Sequence, residues 1–252
     1  MTFSVDCSNH CSEFMTPILA IETSTEACSV ALRMTEGDIF RYAQEPRSHT
    51  KLVMPMIEGV LSEASLRASD LEALTVSIGP GSFTGLRIGF AAIQGLAYGL
   101  EIPVLPISTL EVMCATYHRL STKQDGGQRI SSNVRVMPVI DARMNELNCG
   151  YYEVGPNTEI ITDYSDRLLK NTDAIAWIKS LSPDIIVTDK QNLFDSDITK
   201  LISVEHIFPH ALDLLDLAQR DFNLGMAKSI DLVELSYLRG AEAWQKRKRI
   251  RE

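Results

Sequence analysis

The chain has 252 residues, 45% of them hydrophobic, enough for one large domain or two small ones around a sizeable core. A formal net charge of −9 argues against a protein that grips nucleic acid by itself, because such binding needs a basic footprint. Five scattered cysteines (Cys7, Cys11, Cys28, Cys114, Cys149), an odd number with no secretory signal before them, point to reduced thiols in a soluble cytoplasmic protein.

Residues 1–14 show no periodicity and are expected to be a disordered extension; Cys7, His10 and Cys11 lack the second ligand pair of a metal site. The ordered pattern begins after Met15 with predicted strands at Ile18–Glu22, Cys28–Arg33 and Ile39–Gln44. Thr50 to Ala64 is a predicted helix. Its Leu52, Val53, Met56, Ile57, Val60, Leu61 and Ala64 span a wider arc than one core contact requires, and Pro55 lies inside it. A buried strand, Ala73 to Ile78, then runs into the turn Gly79-Pro80-Gly81, with Ser82 as N-cap of a helix from Phe83 to Gly99. Strand, glycine turn and helix N-terminus together offer backbone N–H groups to an anion.

On that helix Gly85, Gly89, Ala92, Gly95 and Gly99 share a face with Ile88 and Leu96, while Leu86, Phe90, Ile93 and Leu100 cover the neighbouring one. Interior glycines cost about 1 kcal/mol each relative to alanine, so Gly89 and Gly95 together cost roughly 2 kcal/mol. Close backbone approach by another element would offset that. Periodicity does not say whether the approaching element belongs to this chain or to another. The stretch Ile88 to Leu100 is shorter than the roughly 18–20 residues of a membrane span, so no membrane partner is expected.

A strand at Val104–Ile107 and a helix at Thr109–Leu120 follow, then a polar loop, Ser121 to Ser132. The order then starts again. Val134–Ile140, Glu146–Val154 and Glu159–Thr162 read as strands and Thr172–Ser180 as a helix. Ile185–Val187 and Leu201–Glu205 are further strands, and Ala211–Asn223 a helix. So β-β-β-α-β-α-β-α occurs twice, with the middle helix of the second copy (Asp189–Lys200) weak or lost. Such duplication predicts two α/β lobes, an N-terminal one at 15–108 and a C-terminal one at 109–231. A strand at Leu232–Leu238 and a basic tail, Trp244 to Arg251, complete the chain to 252. Such a tail is a solvated end or a helper contact to nucleic acid or an acidic partner.

Several of these stretches resemble the bacterial TsaB (YeaZ) family: Ile18-Leu19-Ala20-Ile21-Glu22-Thr23-Ser24-Thr25, Ser48-His49 before the Pro55 helix, and Gly79-Pro80-Gly81-Ser82-Phe83-Thr84-Gly85-Leu86-Arg87-Ile88-Gly89. So do Ile140-Asp141-Ala142-Arg143 with Glu146, and Tyr237-Leu238-Arg239 with Trp244. The resemblance implies the two-lobed actin-like, sugar-kinase and Hsp70-ATPase (ASKHA, RNase H-like) fold. It also implies a non-catalytic subunit of bacterial tRNA N6-threonylcarbamoyladenosine (t6A) synthesis, which dimerises with and activates a TsaD-like threonylcarbamoyltransferase. A TsaE-like ATPase joins that complex, the chain pairs with itself when alone, and tRNA is met only through the complex. The partner-binding helices of the family match 50–64 and 83–99 here. The implied interface is Leu52, Met56, Val60, Gly85, Ile88, Gly89, Ala92, Gly95, Leu96 and Gly99.

No catalytic, cofactor or metal residue is expected. The TsaD-like His-x-x-x-His pair is represented in Leu110–His118 by His118 alone, and a borderline N/O site usually needs about three protein ligands. His206 and His210 have the spacing, but Pro209 between them breaks the regular face. Glu22 and Asp141 sit at equivalent strand ends, where they would organise magnesium across a cleft or serve as caps. Neither following turn has glycine, Glu26 would repel phosphate, and capping is the reading adopted, with ATP bound weakly or not at all. Cys28, Cys114 and Cys149 read as inert core, and Ser82 lacks the second glycine of a nucleophile elbow. The Met54/Met56 pair suits adaptable packing. The competing reading is an enzyme of this fold, either an M22-type metallopeptidase or an ATP-dependent kinase.

Overall fold

The computed structural model describes residues 17–124, 132–156, 159–161 and 165–239. The expectations for residues 1–14, for the basic tail and for most of the 121–132 loop lie outside these. The first repeat contains β1 (Ile18–Glu22), β2 (Cys28–Arg33), β3 (Ile39–Ala43), α1 (His49–Glu63), β4 (Ala73–Gly79), α2 (Phe83–Leu100) and β5 (Val104–Ser108). Its sheet has the order β3-β2-β1-β4-β5, antiparallel through the opening hairpins and parallel after the helical crossovers. β1 and β2 are buried at every position, as strands covered on both faces must be. Alternation divides β1 between two cores: Leu19 and Ile21 pack with Val53, Val60 and Ile93 of α1 and α2, while Ile18 and Ala20 face the opposite side.

α3 (Thr109–Gln124) closes the first repeat, and the second contains β6 (Val134–Arg143), β7 (Glu146–Cys149), β8 (Tyr152–Val154), β9 (Ile160–Ile161), β10 (Arg167–Lys170), α4 (Asn171–Leu181), β11 (Ile185–Thr188), α5 (Ser196–Thr199), β12 (Ser203–His206) and α6 (Ala211–Asn223). Its main order, β10-β7-β6-β11-β12, repeats the first sheet position by position. The single strand expected at 146–154 is β7 plus β8, interrupted at Gly150 and Tyr151. Both halves keep one register on β6, with Val139 opposite Cys149 and Val136 opposite Tyr152. The third strand differs from expectation. Ile160–Ile161 pairs only with β8, and the edge place beside β7 belongs to β10, whose Arg-Leu-Leu-Lys sequence has no alternation to reveal it. The weak middle helix survives as the four residues of α5.

α3 lies between the sheets, with Val112 and Ala115 toward the first and Leu110, Met113 and Cys114 toward the second. α6 ends the second repeat in sequence yet packs on the first sheet, with Leu214 and Leu215 against Ile18, Ala20 and Ala31. Ser29 Oγ accepts from Ala211 N at 3.0 Å, and Arg33 reaches Asp216 at 2.6 Å. The duplicated order around α3 is the two-lobed actin-like fold.

The strand expected at Leu232–Leu238 is instead a strap. A 3-10 turn at Ile230–Leu232 is followed by extended backbone whose contacts to sheet edges are single bonds, so no ladder forms. Among the described residues no helix is long and apolar enough to cross a membrane.

Candidate protein-docking surface

The glycine motif is first of all a socket for the chain's own first hairpin. Ser82 N donates to the Ser24 carbonyl at 2.6 Å, and a Cβ on Gly81 would stand 2.4 Å from that same oxygen. A Cβ on Gly85 would stand 2.1 Å from the Thr23 carbonyl, and one on Gly89 would stand 2.3 Å from Thr23 Oγ1, which donates to Gly85 O at 2.8 Å. Distances this short exclude any side chain, so Gly81, Gly85 and Gly89 answer to Thr23 and Ser24. Ser82 caps α2 as expected, its Oγ accepting from Gly85 N at 3.2 Å.

Four of the expected interface residues are buried in the free chain. Gly85 and Gly89 are buried inside their own subunit, and so are Val60 and Met56 of α1, at 0% and 9% exposure. A helix advances 100° per residue, so Gly95 stands about 120° round the axis from Gly89. What looked like one stripe is an arc about 120° wide, with Gly89 at its inward end and Gly95 at its outward end. The outward end is open: among the described residues nothing lies within 4 Å of a Cβ built on Gly95 or Gly99. Ala91 beside them is exposed, and Ile88, Ala92 and Leu96 are half-buried along the margin. Tyr98, 56% exposed, closes the far end with its hydroxyl donating to the Asp231 carboxylate. On α1, Leu52 is half-buried and Met54 is 48% exposed. The sequence singled out Met54 but not the exposed Ala91 and Tyr98, because apolar content around a helix does not reveal which arc is inward.

Both interlobe carboxylates are bonded within the chain. Glu22 has no exposed surface; its Oε1 accepts from Ser24 N at 2.6 Å and its other oxygen from the Ser77 hydroxyl. Burial pushes its carboxyl above the ordinary range despite those bonds. Asp141 ends in the opposite lobe, held by Lys190 Nζ at 2.5 Å and by Arg143 N at 2.9 Å. Burial opposes its charge, yet Lys190 and the Arg143 amide outweigh that and hold the carboxyl below its ordinary value. Nearby, burial, with some help from the charge of Asp141, pushes Asp189 up to about 6.

The histidines have separate tasks. His118 is buried, and burial holds its imidazole below the usual value. His206 Nε2 lies 2.9 Å from the Asp189 carbonyl. His210 caps α6, Nδ1 accepting from Leu212 N at 3.0 Å, and stacks on Tyr42 at 5.2 Å. Among the described residues no group of three or more His, Cys, Asp or Glu is arranged to hold a metal ion. Cys28 and Cys149 are buried, and desolvation pushes each thiol up to about 12; Cys114 is buried too, and desolvation raises its thiol well above the ordinary value.

Residues 43–181 match the family model of TsaD, tRNA N6-adenosine threonylcarbamoyltransferase. The chain is 34% identical over 235 residues to the tRNA threonylcarbamoyladenosine biosynthesis protein TsaB of Escherichia coli, covering 91% of this chain and 97% of that one. The protein of the same name from Haemophilus influenzae is 33% identical over 249 residues, covering 91% and 96%. Among solved structures, YeaZ from Pseudomonas aeruginosa superposes with a TM-score of 0.72 at 29% identity, over 89% of this chain and all of that one. A Pseudomonas aeruginosa protein described as similar to the peptidase YEAZ gives 0.74 at 30% identity, again over 89% of this chain and 100% of the other.

Proposed function

The chain belongs to the TsaB family, and from that premise we propose that it serves tRNA threonylcarbamoyladenosine biosynthesis as a non-catalytic docking subunit. The observation that carries this reading is the outward arc of α2, where Gly95 and Gly99 leave the helix backbone open beside Ala91 and the half-buried Ile88, Ala92 and Leu96. Glycine there stabilises nothing inside the subunit and costs helix stability. A helix of another chain laid across it would approach at backbone distance and regain that cost as packing.

The occupant in this reading is a TsaD-like catalytic subunit, with a second copy of this chain taking its place when the partner is absent. The N-terminal lobe, 15–108, is the docking lobe; the C-terminal lobe, 109–231, packs behind it. A TsaE-like ATPase joins the pair, and tRNA is reached through the assembly. Support for a non-catalytic role comes from Glu22 and Asp141, whose oxygens are engaged by the chain's own Ser24, Ser77, Lys190 and Arg143.

Co-purification with a TsaD-like subunit tests the reading. Ala91→Arg and Gly95→Leu, both on the open arc, should abolish capture while shifting the melting temperature by no more than about 4 °C, the scale of a surface change. Undiminished capture by both variants would remove α2 from the interface.

A further inference from the structure

The segment after α6 belongs to neither repeat. It runs beside β5, where Val104 and Lys228 exchange backbone bonds of 2.8 and 2.9 Å, and it buries Ile230 and Val233 in the core beneath α2. It then crosses the glycine turn. Ser236 N donates to Ile78 O at 2.8 Å, and the Ser236 carbonyl lies 2.6 Å from where a Cβ on Gly79 would stand. The Tyr237 ring sits 5.6 Å from that of Phe83, and its hydroxyl accepts from Arg87 Nε at 3.2 Å. The Arg87 guanidinium also covers Phe83, 3.6 Å from the ring centroid. Two residues on, the strap reaches the second lobe. Arg239 Nη2 donates to the carbonyls of Ala142 at 3.1 Å and Arg143 at 3.3 Å and to the Glu146 carboxylate, while Nη1 meets Met144 Sδ at 3.3 Å.

The turn that Arg239 reaches is strained. Arg143, Met144 and Asn145 have φ of 64°, 56° and 63°, three consecutive left-handed residues without a glycine. Such backbone persists only where its surroundings over-determine it. Asp141 Oδ1 holds the Arg143 amide at 2.9 Å, Asn171 N holds the Asn145 carbonyl at 3.0 Å, and Arg239 takes the carbonyls of 142 and 143. The three oxygens converge on one terminal nitrogen, Nη2, while Nη1 faces the Met144 sulfur, so the clasp is a set of charge-assisted bonds made at a single point.

We infer that the strap mechanically couples the N-terminal end of α2 to the β6–β7 turn, with Phe83, Arg87 and Tyr237 as its anchor and Arg239 as the clasp that keeps the turn left-handed. The clasp is a property of the free chain. Its use by a partner rests on the docking reading: Phe83 and Arg87 are exposed at one end of α2, so a chain seated there grips the strap at its anchor.

Hydrogen exchange on the free full-length chain tests the coupling. Arg239→Ala should raise exchange of amides 141–147 by about tenfold or more while β1 stays protected. Tyr237→Ala, which leaves Arg239 in place, should raise the same amides by about threefold or more. Wild-type exchange there in Arg239→Ala overturns the clasp. Wild-type exchange there in Tyr237→Ala overturns the coupling even if Arg239→Ala responds. Should Arg239→Ala unfold as a whole, Arg239→Met, which keeps a long side chain and removes the donors, replaces it; a turn exchanging as in the wild type then overturns the clasp, and a faster one upholds it. Failure of a TsaD-like subunit to bind the wild-type chain would defeat the docking reading and leave these free-chain results standing.

Discussion

Glu22 illustrates how a residue's chemistry depends on where its strand ends. A carboxylate with no solvent contact is costly unless it is bonded, and Ser24 and Ser77 supply those bonds without a counter-charge. Burial raises its folded pKa above the ordinary 4.5, so the folded chain holds its proton to higher pH than the unfolded chain does. The corresponding stability is fully present below that value and is lost as pH rises through the folded pKa. Glu22→Gln keeps an acceptor for Ser24 N and removes the titration. Urea midpoints should therefore nearly coincide at about pH 4 and favour the glutamine variant at about pH 7; a wild-type chain that gains on the variant with rising pH would refute this. The sequence marked Glu22 as special because it ends a buried strand, but could not show whether it faced a cleft or its own core.

At the scale of the element, α2 was legible in extent and cap and half-legible in meaning. Its glycines, counted by spacing, looked like one stripe, and the family resemblance pointed that stripe at a partner. Gly85 and Gly89 meet Thr23, whereas no described residue lies against Gly95, about 120° round the axis from Gly89, or against Gly99 farther along the helix. Substitution should separate them in the same way. Gly89→Ala places a methyl 2.3 Å from Thr23 Oγ1 and 3.4 Å from Ile21 Cγ2. Overpacking of that kind costs about 1–3 kcal/mol. Gly95→Ala meets empty space and should stabilise the monomer by up to about 1 kcal/mol, the helix-propensity difference. Chemical denaturation of the two variants reads this directly; equal effects would mean that both glycines share one environment. A bulky residue at Gly89 thus damages the monomer before it reports on any partner. β10 was illegible for a different reason: four residues flanked by charge carry too little pattern for a strand that its neighbour β7 dictates.

At the scale of the whole molecule, the duplication could be read because each repeat rebuilds the same hydrophobic sequence of strands and helices. Two features could not. The strap after α6 has no periodicity, since its contacts are isolated points scattered from β5 to the β6–β7 turn rather than a ladder. The exchange of α6 onto the first sheet leaves no local trace either, because an amphipathic helix does not name the surface it will cover.

That exchange has a consequence for how the protein can be divided. Severed between its repeats, the first fragment would lose the lid over Ile18, Ala20 and Ala31, and the second would carry Leu214 and Leu215 with nothing to shelter them. Neither piece should be a competent folding unit, yet mixing the two should reconstitute the parent, and the intact chain should melt in one calorimetric step. Two independent melting steps, or a soluble first fragment with native amide dispersion, would show that the halves are autonomous after all.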